Sequence, residues 1–345
     1  MARSAVVICP GRGTYNKPEL GYLTRHHADK QALIAMFDRY RTGHGQIPIG
    51  ALDSAARYQA AVHTRGNNAS PLIYACAYAD FLSIDRSDID VVAVTGNSMG
   101  WYIALACAGA LSAEAAMAVV NTMGTLMQEN LIGGQLLYPL VDADWRAVSG
   151  RRTHLLSLID RIDAQADHSL FLSIDLGGMF VFAGNDAGLA ALEAELEPVE
   201  DRFPMRLQNH AAFHTPLMES IAEQGQAALQ PALFGQPAVP LVDGRGAVWF
   251  PGASDPDALW RYTLGHQVTQ PYDFAGAVQV ATREFAPDCL IVLGPGNTLG
   301  SAVAQSLIAI DWHGLRDKAD FVARQAEAPF VFSMGIEAQR ALVAA

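Results

Sequence analysis

No stretch of the 345 residues is apolar for long enough to cross a bilayer without polar interruption, although the mean hydropathy of +0.15 is high for a soluble protein. The apolar run near the N-terminus, Ala5–Cys9, is too short for the core of a secretion signal and leads into a Gly-rich turn. It is expected to be a first buried strand. Cysteine is scarce: Cys9, Cys76, Cys107 and Cys289 lack CxxC or CxxH spacing, which excludes a zinc knuckle and a disulfide framework. Cys9 and Cys107 fall in apolar runs and read as buried packing thiols in a cytoplasmic chain. Basic residues are also short, with 23 Lys+Arg against 35 Asp+Glu and a net charge of −12. A basic nucleic-acid footprint is excluded, and an anionic partner must find a local basic patch. Gly294-Pro295-Gly296 has no Lys-Ser/Thr after it, so it is not a phosphate loop. No residue pattern points to a metal, a flavin or a nicotinamide, and there is no internal repeat or low-complexity tract.

The chain contains alternating strand-like and helical segments. Apolar runs at Ala5–Cys9, Val91–Thr95, Leu136–Val141, Leu170–Asp175, Phe180–Ala183, Pro240–Val242 and Leu290–Leu293 read as strands. Ser112 is an N-cap candidate, and Ala116, Val120, Met123 and Met127 form one apolar stripe behind it. Ala187–Leu196 and Pro216–Leu229 read as further helices. This alternation predicts an α/β fold with a mainly parallel sheet. Between Gly133-Gly134 and about Arg206 the rhythm breaks, which predicts a small α+β lobe at 134–206 inserted into a large domain formed by 1–133 and 207–345. "PFVFSMG" near the C-terminus is an edge-strand candidate.

The chemistry centres on Gly96-Asn97-Ser98-Met99-Gly100, where the apolar run Val91–Thr95 gives way to a helix-like segment. Gly-x-Ser-x-Gly at a strand-to-helix junction is a nucleophile elbow: the glycines permit a tight bend that lifts the hydroxyl clear of the backbone. A serine nucleophile needs a base. His26, His27, His44, His63 and His154 lie in polar segments and read as solvated. His214, after Phe213 and before Thr215-Pro216, precedes a helix start and is the best-placed candidate. His210, four residues earlier, reads as a surface or capping group.

Five blocks in order resemble the malonyl-CoA:acyl carrier protein transacylase family, which includes the acyltransferase domains of fatty acid and polyketide synthases. They are "CPGRGTYN", "GNSMGWYIALACAGALSAEAAMAVVNTMGTLMQE", "AAFHTPLM", "LGHQVTQPYDF" and "VLGPGNTL". The resemblance implies a hydrolase-like α/β domain carrying a ferredoxin-like lobe. It also implies ping-pong acyl transfer from acyl-CoA to the phosphopantetheine thiol of an acyl carrier protein, with no cofactor. Ser98 would be the nucleophile, His214 the base, and the backbone N–H groups of Met99 and Arg12 the oxyanion hole. In this family a main-chain carbonyl near the QxxxP block orients the histidine, which points to the region around Asp273. The residue type alone nominates the Asp273 carboxylate as a triad member, and both roles stand open at this stage.

Departures from the family pattern cluster around the acyl group. Where malonyl enzymes carry an arginine 25 residues after the serine, this chain has Met123, on the apolar stripe. Asn97 replaces a histidine, Trp101 a glutamate, Arg12 a glutamine, and Ser70 the glutamine of the QPAL block. With Phe213, these residues are the candidate acyl-pocket set. Met123 presents no cation, so the leading expectation is an uncharged acyl group. Three alternatives are carried beside it: a malonyltransferase in which Arg12 replaces the missing cation, a thioester hydrolase with water as acceptor, and a non-catalytic paralogue that binds carrier partners.

Overall fold

The computed structural model describes residues 2–345. Eleven strands form two sheets. They are β1 (Arg3–Cys9), β2 (Ile89–Gly96), β3 (Gly134–Pro139), β4 (Leu170–Asp175), β5 (Met179–Gly184), β6 (Met205–Leu207), β7 (Leu241–Val242), β8 (Val248–Trp249), β9 (Tyr272–Asp273), β10 (Cys289–Val292) and β11 (Val331–Ser333). The larger sheet has the order β11-β10-β1-β2-β7-β8 and is parallel except for the terminal β7–β8 pair. Its central strands are near-continuous apolar runs, as a sheet covered on both faces requires. The "PFVFSMG" segment supplies β11, an edge strand as expected.

The second sheet has the order β6-β3-β5-β4-β9. With the helices Arg151–Asp163 and Asp186–Glu195, residues 134–207 run β-α-β-β-α-β, the ferredoxin-like order. The sheet reaches beyond the expected segment, because β6 ends at Leu207 and β9 comes from Tyr272–Asp273, parallel to β4. A separate apolar cluster, with Leu136, Phe180, Phe182, Leu158, Leu189 and Leu192 at its centre, packs this sheet against its two helices. The architecture is therefore a hydrolase-like α/β unit with a ferredoxin-like lobe.

The parallel register brings the C-terminal ends of β1 and β2 side by side, with Cys9 opposite Gly96. Both strands turn there, and their turns touch: the Asn97 N–H donates to the Cys9 carbonyl at 3.0 Å. Such strand ends are where open α/β sheets place their sites. Ser112 caps the helix Ala113–Glu129 through a 3.1 Å bond from the Ala115 N–H. All four cysteines are buried and free. Among the described residues no helix is long and apolar enough to cross a membrane, and no group of His, Cys, Asp and Glu is placed to hold a metal ion. The expectation of solvated histidines fails at two positions. His27 is buried against Asp80 at 2.8 Å, and His63 is buried with a ring nitrogen 3.1 Å from the Leu52 carbonyl.

Candidate active site

Ser98 has φ = 54°, left-handed backbone that a serine adopts only under constraint. The constraint comes from the flanking glycines. A Cβ on Gly96 would meet the Gly100 carbonyl carbon at 2.3 Å, and one on Gly100 would meet the Cys9 oxygen at 2.3 Å. No larger residue fits between β2, the following helix Gly100–Cys107 and the turn after β1. Holding a non-glycine residue in such a conformation costs about 1–3 kcal/mol, which the surrounding packing must supply.

His214 also sits at positive φ, 59°, at the entry to the turn Pro216–Met218. Its Nε2 lies 2.7 Å from Ser98 Oγ, across 116 positions of sequence. Its Nδ1 lies 2.6 Å from the main-chain carbonyl of Gln267. A carbonyl only accepts, so Nδ1 carries the proton and Nε2 presents its lone pair to the serine. Burial pushes the imidazole pKa down to about 4, against the opposing pull of the Gln267 carbonyl, so the ring is neutral at pH 7. The Gln267 side chain ties the nucleophile to the same anchor. Its Nε2 donates to the Ser98 carbonyl at 3.0 Å, and its Oε1 accepts from the Tyr102 hydroxyl at 3.1 Å.

The assignment of the orienting role to Asp273 is thereby corrected. Asp273 is exposed, and its carboxylate caps the helix Phe274–Phe285 by accepting from the Gly276 N–H at 2.7 Å. Gln267, six residues earlier in the same sequence block, does the orienting through its backbone. Trp101 is corrected as well. It is fully buried, donates from Nε1 to Thr263 Oγ1 at 2.9 Å, packs edge-on against Tyr262 and lines none of the cavities at the site.

The N–H groups of Met99 and Arg12 have no acceptor among the described residues. Their turns abut, since a Cβ on Gly11 would come 2.8 Å from the Asn97 oxygen. Two unsatisfied N–H donors thus lie on touching turns beside Ser98.

Ser98 opens onto two cavities. The first, of about 20 Å³, holds about one water and is lined by Ser70, Met123, Phe213 and Arg12, with Val120 and Met127 of the apolar stripe. The second is a cleft of about 430 Å³ between the two sheets, lined by Asn97, Arg12, His210, Arg202 and Gln305 among others. Asn97 Oδ1 and Gln305 Oε1 are buried beside this cleft without partners. His210 is half-buried at the wall of the cleft. Its Nδ1 is 2.7 Å from Gln135 Oε1, and burial, then the charge of Arg12, pushes its pKa down to about 3. Asp175 pairs with Arg152, and the Asn209 carbonyl accepts a hydrogen bond from the Arg12 side chain.

The Arg12 backbone stays in the turn, and the residue also lines the first cavity, as Met123 does.

Ser98 sits on a strained strand-to-helix bend and pairs with a buried neutral histidine held by a main-chain carbonyl, within a fold of the α/β hydrolase-like class. Within that class the fold is that of the malonyl-CoA:acyl carrier protein transacylases, and the resemblance read from the five sequence blocks is borne out. The crystal structure of such a transacylase from Xanthomonas oryzae pv. oryzae superposes with a TM-score of 0.75 at 20% identity, covering 100% of both chains. A transacylase solved with a type II polyketide acyl-carrier protein gives 0.71 at 19% identity, covering 89% of this chain and 93% of that one. In sequence, the malonyl CoA-acyl carrier protein transacylase of Bacillus subtilis is 24% identical over 239 residues, 68% of this chain and 71% of that protein. Polyketide synthase GfsB of Streptomyces halstedii is 29% identical over 210 residues, 60% of this chain but only 4% of the synthase. The chain thus spans a small fraction of the polyketide synthases it matches. No protein-family model matches it.

Proposed function

We propose that the chain is an acyl-CoA:acyl carrier protein S-acyltransferase working by a ping-pong mechanism through an acyl-Ser98 intermediate. The observation that carries this reading is the 2.7 Å contact between Ser98 Oγ and the unprotonated Nε2 of His214. The relatives and the carrier-bound neighbour support the choice of substrates.

In the first half-reaction Ser98 Oγ attacks the thioester carbonyl carbon while its proton passes to His214 Nε2. The oxyanion accepts hydrogen bonds from the Met99 and Arg12 N–H groups. Loss of one such donor typically costs about 10²–10³ in rate. Collapse breaks the C–S bond, and the imidazolium returns its proton to the departing coenzyme A thiolate. In the second half-reaction the carrier's phosphopantetheine thiol gives its proton to Nε2 and attacks the serine ester, and Ser98 leaves reprotonated. The cleft between the sheets is the channel for the pantetheine arm.

Intact-mass measurement after mixing with a panel of acyl-CoAs tests the reading. A mass gain on Ser98, absent in Ser98→Ala, is expected. Holo-carrier protein should then discharge it as acyl-carrier. Release of free acid instead would make the chain a hydrolase, and no gain with any thioester would leave a carrier-binding paralogue.

A further inference from the structure

Arg12 is a buried cation without a counter-ion. Its Nη2 donates to the Asn209 carbonyl at 3.0 Å and, at the long limit of 3.4 Å, to the Thr64 carbonyl. Its guanidinium lies 5.4 Å from the centre of the Phe213 ring. Its Nη1 is shut off from solvent and has no partner. No carboxylate of the described residues lies within ion-pair distance, although the chain has 35 acidic residues. Burial lowers its pKa only to about 10, so the group stays charged at neutral pH. Burying an unpaired charge is costly, and two carbonyls and a ring face offset only part of that cost. Arg12 lines the cavity next to Ser98, as Met123 does.

We propose that Arg12 is the carboxylate-reading residue of the acyl pocket, and that the acyl group carried on Ser98 is a short dicarboxylic half-thioester. This rests on the transacylase reading above. A guanidinium fork suits a carboxylate, and a planar, always-charged group with a free Nη1 has the donor to spare. The geometry also limits length. The residue whose N–H faces the thioester oxygen is the one whose side chain meets the far end of the acyl group, so only a few carbons separate the two ends. The cation thus comes from the turn after β1, while the helix Ala113–Glu129 presents methionine.

The test compares Ser98 loading from malonyl-CoA and from acetyl-CoA in wild type, Arg12→Gln and the double variant Arg12→Gln/Met123→Arg. The backbone N–H survives in all three. Wild type should prefer malonyl-CoA by at least about 10²-fold, Arg12→Gln should lose that ratio, and the double variant should regain much of it. Equal loading of both thioesters by wild type, or an unchanged ratio in Arg12→Gln, overturns the proposal. Free malonate gives a readout independent of chemistry: it should raise the melting temperature of wild type and not of Arg12→Gln. Malonate protection that depends on Arg12, without loading from any acyl-CoA, would keep the carboxylate site and reject the transfer reading. Loading without selectivity or malonate protection would do the reverse.

Discussion

His214 Nδ1 lies 2.6 Å from the backbone oxygen of Gln267, and no carboxylate takes that place. The base is therefore oriented by a neutral acceptor. The ring is held in one tautomer, and in the proposed mechanism the imidazolium would face a carbonyl dipole in place of a carboxylate.

Asp273 substitutions follow directly. Asp273→Ala removes a helix cap and should cost about 0.5–2 kcal/mol of stability while leaving the rate of Ser98 loading unchanged. Stopped-flow loading combined with a denaturation curve checks both halves. A loading defect of 10²-fold or more in folded Asp273→Ala would restore the triad carboxylate.

Gln267→Ala keeps the carbonyl that holds His214 and removes the side-chain bonds to Ser98 O and Tyr102. Loading should slow by about tenfold or less, with the pH profile unmoved, since the tautomer is preserved. Replacing His214 itself with Gln removes the proton acceptor and should cost about 10²–10⁴ in loading rate.

The pH dependence has a definite sign. His214 is held down to about 4 from the ordinary 6.5 by burial, so between those values the unfolded chain binds a proton that the native state refuses. The stability it contributes is whole above about pH 6.5 and is lost as pH falls towards 4. His210, lowered to about 3, acts in the same direction. Melting temperature should decline through this window, while loading measured on still-folded protein should stay level to about pH 5. An inflection in loading near 6.5 would contradict a buried, neutral base.

Gly100→Ala places a methyl group 2.3 Å from the Cys9 carbonyl oxygen, and backbone on both sides prevents relief. The expected result is a protein that fails to fold or melts far below wild type. Trp101→Phe should instead stay folded, lose about 1–3 kcal/mol with the bond to Thr263, and keep its acyl preference, because the indole does not reach the pocket. Calorimetry with the malonyl-to-acetyl ratio separates these outcomes.

The sequence by itself determined what depends on near neighbours: the elbow around Ser98, the Ser112 cap, the apolar strands at the centre of the sheet, and the break in the strand–helix rhythm after Gly133. Each is written in side-chain size, backbone freedom or apolar period within a few residues. Tertiary structure alone decided that a carbonyl orients His214, since every residue carries one and no side chain marks which is used. It alone decided that Trp101 turns into the core, that two-residue β9 joins the second sheet, and that Arg12 lines the cavity beside Ser98 while its backbone stays in the turn. Those choices depend on what lies across the fold, and neighbours in space leave no local pattern in the chain.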